Sequence, residues 1–180
     1  MDVIAAYRAG HVNAVASMGT ALTPEHVNRL RKLTKKIVLT YDGDKAGQNA
    51  LPVSSALSDF QVDIVKIPDN MDPDEYLQKT SEEALGKLLV ESRISDVEFW
   101  IGQLKPANVD NLQAEIAYVE QIAKIIAKSP SVTAQNSYIS KVADLLPDFD
   151  FFQVEQAVNN ERLTMRNQQT AQLSFAVIVL

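Results

Sequence analysis

Two pairs of aspartates, each split by a single residue, are the parts of this sequence best suited to chemistry. The first is Asp42-Gly43-Asp44, in "KKIVLTYDGDKAGQNA"; the second is Asp72-Pro73-Asp74, in "PDNMDPDEYL". Two carboxylates so close repel one another unless a cation lies between them. Oxygen-only ligands suit a hard ion, Mg²⁺ first and Mn²⁺ second. Such an ion keeps several waters and completes its shell with substrate phosphate. The chemistry would then be phosphoryl or nucleotidyl transfer, with the metal polarising oxygens and orienting substrate. A plainer reading stands beside it. Asp44 can cap a helix from Lys45, and "YDGD" is an ordinary turn. Asp72 can be an N-cap, with Pro73 at the first helical position and Glu75 as its capping-box partner. Asp74 needs no special reason, because acids are favoured in a first helical turn. One pair alone favours the cap. Two pairs at equivalent strand-to-helix positions weaken the chance reading.

The elements around the pairs decide whether they share a site. Asp2 to Ala9 reads as a helix with Val3, Ile4 and Tyr7 on one face, closed by Gly10. Asn13 to Ser17 reads as a short strand, and Thr23 caps a helix carrying Val27, Leu30 and Leu33. Lys36 to Tyr41 is a strand whose run Ile37-Val38-Leu39 does not alternate, so both faces are predicted buried, as in a parallel sheet. A helix follows from Lys45 to Leu57, then a strand from Val62 to Ile67. Helices between buried strands make βαβ units with right-handed crossovers. Ligands in such sheets bind outside the carboxyl ends of the strands, and both acid pairs are predicted to open on that edge. The loop "SMGTALT" opens there too. Its Ser17, Gly19 and Thr20 could approach phosphates, or form a simple glycine loop before the capped helix. The basic run "RLRKLTKK" holds Arg29, Arg31, Lys32, Lys35 and Lys36. It reads either as a solvated helix face or as phosphate steering. His11 and His26 are isolated and show no metal-ligand spacing.

After Asp72 the pattern turns helical, with no convincing strand before the tail. Helices are predicted over Glu82–Ser92, Ser95–Leu104 and Val109–Lys128, the last with Leu112, Ile116, Val119, Ala123 and Ile126 as its stripe. Another starts after Ser131 and stops at Pro147, and a short one runs from Phe151 to Asn160. Trp100 and the Tyr and Phe residues of this half are read as core. The domain reading is an α/β core over 1–75, a helical subdomain over 76–165 and a tail over 166–180. The apolar end "LSFAVIVL" is either a docking strand or the product of a cloning boundary or altered reading frame.

Composition sets outer bounds. The chain has 180 residues, is 46% hydrophobic and carries a net charge of -6. It has no cysteine, which removes disulfides, thiolate zinc sites and cysteine nucleophiles and fits a cytoplasmic protein. No apolar run is long enough for a membrane helix, and no secretory leader is visible. Any grip on nucleic acid must be local, metal-mediated or supplied by other parts.

Three ordered blocks, "MDVIAAYRAGHVNAVASMGTALT", "IVLTYDGDKAGQNA" and "PDNMDPDEYL", resemble the Toprim catalytic core of bacterial DnaG-type primases. The following helices look like the helical subdomain of the same polymerase region. The resemblance implies an α/β Toprim-like fold, a parallel sheet flanked by helices, followed by an all-α bundle. It implies DNA-templated synthesis of short RNA primers, with single-stranded DNA template, ribonucleoside triphosphates, an RNA–DNA hybrid and divalent metal. By position, Asp42 and Asp44 match the family's D-G-D ligands, and Asp72 and Asp74 its D-P-D acids in the same cluster. Asp2 matches the Asp of its E-G-Y-M-D motif and joins Asp42 and Asp44 in the catalytic set. Ser17, Gly19 and Thr20 match the loop beside the site. The motif's leading Glu would lie upstream of Met1. The family's zinc-binding domain, its basic template-holding part and a helicase-binding domain have no counterpart here. Zinc and the replicative helicase would therefore belong to parts outside this chain. The expectation is a primase fragment, inactive by itself, of a cytoplasmic parent.

Three other classes are weighed against this. Another Toprim enzyme, a topoisomerase or nuclease, shares D-x-D chemistry. A topoisomerase needs a nucleophilic tyrosine, however, and Tyr41 in a buried strand is a poor one. A haloacid-dehalogenase-like phosphatase would want D-x-D-x-T, whereas Lys45 and Ala46 follow here. A non-catalytic docking module would reduce the acids to caps.

Overall fold

The computed structural model describes residues 1–16, 22–41, 56–57, 59–108 and 111–173. Two units divide the chain, Met1–Phe99 and Trp100–Leu180. No described helix is long and apolar enough to cross a membrane.

The first unit begins with α1 (Asp2–Arg8) and α2 (Pro24–Leu33). Gly10 turns the chain after α1 with a φ of 93°, a conformation that a residue without Cβ adopts freely. Thr23 caps α2 as expected: its hydroxyl accepts from the His26 N–H, and His26 Nδ1 accepts in return from the Thr23 N–H, both at 3.3 Å. β1 (Lys36–Tyr41) and β2 (Gln61–Lys66) pair in parallel, from Lys36 opposite Gln61 to Tyr41 opposite Lys66. A 3₁₀ turn (Pro68–Asn70) leads to α3 (Pro73–Lys79) and α4 (Glu82–Glu91). β3 (Ile94–Ser95) then adds an antiparallel strand on the far side of β2. The described sheet therefore has the order β1-β2-β3 and is mixed. The two-residue β3 is too short to leave a period-two signal in the sequence.

A core of Ala5, Val65, Ile67, Met71, Leu77, Leu85 and Leu89 binds α1, α3 and α4 to β2. Gly86 lets α1 close on α4. A Cβ there would stand 2.8 Å from the Ala9 carbonyl oxygen, closer than van der Waals contact allows. An exposed Arg8–Glu82 ion pair spans the same two helices.

Several local expectations change. Residues 13–16 form no strand: Ala14 N–H donates to the His11 carbonyl, and the chain turns there instead. The buried face of α1 is Ala5, not Val3, Ile4 and Tyr7; Ile4 and Tyr7 are exposed. Small residues face inward because the helix lies close against its neighbours. Leu33 is exposed because α2 ends on it, and only Val27 of the expected stripe is fully buried. Ile37, Val38 and Leu39 are half-buried, as befits a strand at one edge of the described sheet, while Val62, Ile64 and Val65 of β2 are buried. The helix predicted over Lys45–Leu57 lies outside the described residues except at its end.

The second unit is helical. α5 (Asp96–Gln103) spans the division between the units and carries the buried Trp100. α6 (Leu112–Ile126), α7 (Val132–Ala143) and α8 (Phe151–Leu173) follow. α6 and α7 each pack on α8. Asn111 caps α6 and Ser131 caps α7. Val119, Ala123 and Ile126 of the predicted α6 stripe are buried, Ile116 is half-buried and Leu112 is exposed; Glu115, Tyr118 and Ile122 complete the buried face. Phe151 and Phe152 are exposed rather than core. α8 continues to Leu173 instead of stopping at Asn160, so residues 161–173 are helical; 174–180 lie outside the described residues. Glu115 is fully buried. Its Oε2 accepts weakly from the Asp148 N–H at 3.4 Å, which ties the connection after α7 to α6.

Candidate metal centre

The parallel pairing of β1 and β2 sets the geometry of the candidate site. Tyr41 and Lys66 are partners at the carboxyl ends of the two strands. Asp42 follows Tyr41 directly in sequence, and Asp72 opens α3 shortly after β2. Both strands thus end on one edge of the sheet, each ahead of an acid pair in the sequence. Asp42, Asp44, Ser17, Gly19 and Thr20 themselves lie outside the described residues.

Asp72 and Asp74 are half-buried at the start of α3. Asp72 is the N-cap, as predicted. Its Oδ1 accepts from the Glu75 N–H at 2.7 Å, and Glu75 Oε2 accepts from the Asp72 N–H at 3.4 Å. Asp74 Oδ2 accepts from Gln78 Nε2 at 2.8 Å. Each carboxylate therefore commits one oxygen to the fold. Among the described residues, the second oxygen of each has no hydrogen-bond partner. Cap and ligand are compatible roles for such a group, because a carboxylate carries two acceptor oxygens. Asp2 begins α1, which packs directly against α3. The fold thus brings the helix of Asp2 alongside the helix of Asp72 and Asp74. The described residues contain no group of three acids, histidines or cysteines arranged to hold a metal. A complete centre would have to draw on the D-G-D pair.

One feature escaped the sequence reading. Asp69 and Asn70 both adopt left-handed backbone, with φ of 56° and 55°. They sit between β2 and the Asp72 cap, so they set where α3 begins. Asp and Asn tolerate this region better than other residues with a Cβ, and "PDN" was a readable turn signal. Asp69→Gly should leave the melting temperature unchanged or raise it, since the exposed Asp69 is held there by backbone conformation. Asp69→Val should cost about 1–2 kcal/mol, which thermal unfolding of the two variants would measure.

Comparisons with known proteins bear on the same stretch. A family model described as Toprim-like matches residues 1–77. A DNA primase of Lactococcus lactis subsp. lactis is 51% identical over 166 residues, 92% of this chain and 26% of the relative. A DNA primase of Enterococcus faecalis is 34% identical over 148 residues, 79% of this chain and 24% of the relative. The chain thus spans about a quarter of the length of these curated relatives. In structure it is similar to a DnaG catalytic core, with a TM-score of 0.63 at 25% identity over 86% of this chain and 51% of that one. It is similar to a DnaG primase catalytic domain bound to single-stranded DNA, with a TM-score of 0.64 at 25% identity over 80% of this chain and 48% of that one. A DNA primase domain from Pseudomonas aeruginosa shares the fold, with a TM-score of 0.65, over 88% of this chain and 51% of that one. The chain belongs to the bacterial DnaG-type primases, as a segment made of the Toprim-like region and the helices that follow it.

Proposed function

We propose that this segment supplies the acidic, metal-binding part of a primase active site, in a parent enzyme that makes short RNA primers on a DNA template. The observation that carries the reading is the shared edge. β1 and β2 run parallel, and each hands the chain to a D-x-D pair at its carboxyl end. Divalent-metal dependence goes with the family. Mg²⁺ is the ion of first choice and Mn²⁺ the second, because every candidate donor is a carboxylate oxygen. Asp42 and Asp44 would be the principal ligands. Asp72 and Asp74 would extend the acidic cluster through their uncommitted oxygens, and Asp2 would join from α1. When bound, the ion would polarise phosphate oxygens and orient the incoming ribonucleotide. The chain's own part is to hold the acids. The Asp72–Glu75 cap and the Asp74–Gln78 hydrogen bond fix two carboxylates before any ion arrives. Ser17, Gly19 and Thr20 would line the phosphate side. Single-stranded template, ribonucleoside triphosphates and the RNA–DNA hybrid are the proposed partners. The replicative helicase would be reached through another part of the parent.

The test is Mn²⁺ titration of the 180-residue chain by electron paramagnetic resonance. Asp42→Asn combined with Asp44→Asn should weaken binding by about 100-fold or more, since two carboxylate charges are lost from the ion's own ligands. Unchanged affinity in the double variant would remove the metal reading and return both pairs to capping.

A further inference from the structure

We infer that the end of α2 and the start of β1 form a contact surface for a nucleic-acid backbone, on the sheet edge away from the acid pairs. The charge distribution is the first observation. Five of the chain's 17 Lys and Arg fall within Arg29–Lys36, with no acid among them, in a protein of net charge -6. The structure then separates these five. Arg29 is held by Glu25 at 2.7 Å. Arg31 is held by Asp59 at 2.6 Å and by Asn28 at 2.8 Å. Lys32, Lys35 and Lys36 are exposed, and none forms an ion pair with a described residue. A cation in the last turn of a helix answers the helix dipole, which accounts for Lys32. Lys35 and Lys36 lie beyond the helix, where that reason ends.

The backbone that carries them is pinned. Thr34 Oγ1 accepts from the Lys36 N–H at 3.0 Å and donates to the Lys36 carbonyl at 2.9 Å. The Lys35 carbonyl accepts from the Gln61 N–H at 2.8 Å, at the start of the sheet. Three ammonium groups are therefore presented from an ordered edge rather than from a loose tail. Guanidinium forks grip carboxylates and phosphates alike, but both forks here are already occupied by acids of the same unit. The three remaining ammonium groups are point charges, which can bind a row of phosphates by charge and without reading of sequence.

Position makes this surface different from the proposed site. Lys36 begins β1 and Tyr41 ends it. At about 3.3 Å per residue the strand places Lys36, at its start, roughly 20 Å from the edge where the acid pairs follow. The lysines cannot steer phosphate into the reaction centre from there. They can hold a strand that extends beyond it. The choice of nucleic acid as the polyanion rests on the primase reading, but the contact does not rest on metal. It can be tested with metal removed.

The experiment is fluorescence anisotropy of a labelled single-stranded oligonucleotide with the 180-residue chain in EDTA, across a range of salt. Lys32→Gln, Lys35→Gln and Lys36→Gln combined should weaken binding about tenfold or more and flatten the log–log salt dependence by about 2. Lys105→Gln, Lys124→Gln and Lys128→Gln make the same change of charge on exposed residues of the helical unit, and should alter binding by no more than about twofold. Equal losses in the two variants would overturn the inference, since total charge alone would then be at work. So would no binding by the unaltered chain, or no loss in the first variant. Displacement of the oligonucleotide by polyglutamate at equal charge concentration would assign the surface to an acidic protein partner instead. Mn²⁺ binding that survives while oligonucleotide binding fails, or the reverse, separates this inference from the metal reading.

Discussion

In a DnaG-type primase containing this segment, Asp42→Asn together with Asp44→Asn should lower primer synthesis by about 100-fold or more. Asparagine keeps the size of aspartate and one acceptor oxygen but removes the charge. At an effective dielectric constant near 20, two unit charges 4 Å apart interact by about 4 kcal/mol, so the loss of two carboxylates removes most of what holds a divalent ion. If these acids act through the metal, kcat and kcat/KM should fall together, because the lost stabilisation belongs to the transition state. Asp72 offers a sharper companion test. Asparagine is as good an N-cap as aspartate, so Asp72→Asn preserves the hydrogen bond to the Glu75 N–H that starts α3. A fall in activity with unchanged melting temperature would then report on charge alone. Asp72→Ala would mix that effect with the loss of the cap, about 1 kcal/mol. Primer assays over a range of Mg²⁺ concentrations would measure both. Activity within about threefold of the parent in the Asp42 and Asp44 double variant would rule out a catalytic metal at this edge.

The residues that could be read from sequence were those whose role is local. Thr23, Asp72 and Ser131 were predicted as caps, and each accepts the hydrogen bond expected of it. A cap depends on its own side chain and on an N–H a few residues along, so nothing distant can change it. The parallel pairing of β1 with β2 was legible for a similar reason: an unbroken apolar run and a helix-length connection leave few alternatives. Which face of a helix is buried depends on what lies across from it, and there the reading held only in part: Val119, Ala123 and Ile126 of α6 are buried as predicted, while α1 and the start of α6 differ. α1 turns Ala5 inward and leaves Ile4 and Tyr7 exposed, because close approach selects small side chains over large ones. α6 buries Glu115, a residue that no apolar pattern would select. The strand expected over residues 13–17 is absent at 13–16, because alternation in five residues is weak beside a turn that follows a left-handed glycine. At the site, the second acid pair was legible as cap and candidate ligand together, and the structure keeps both roles open by committing one oxygen of each carboxylate. The left-handed pair Asp69–Asn70 was missed because no glycine in the short stretch between β2 and the Asp72 cap announces left-handed backbone.

Tyr118 should make the helical unit sensitive to alkali in a way a single substitution removes. Its side chain is buried, and its hydroxyl donates to the Ile101 carbonyl at 2.8 Å. Burial pushes the phenol up to about 12, from an ordinary value of 10.0. The sign follows from linkage. Below pH 10 the phenol is neutral in both folded and unfolded chains, and its contribution is fully present. Between about pH 10 and 12 the unfolded chain loses the proton while the folded chain keeps it, so stability falls. Two pKa units correspond to about 2–3 kcal/mol at the top of that window. Tyr118→Phe removes the titrating group. At pH 8 it should cost about 1 kcal/mol, because the hydrogen bond to Ile101 is lost. It should also be spared the alkaline decline that belongs to this phenol. Urea unfolding of both proteins at a series of pH values isolates the effect, since the other tyrosines and the lysines titrate alike in both. The two stability curves should cross near pH 11, about where the ionisation loss equals the value of the hydrogen bond. Curves that stay parallel to pH 12 would show that the phenol is not held neutral by burial, and that the contact with Ile101 is open to water.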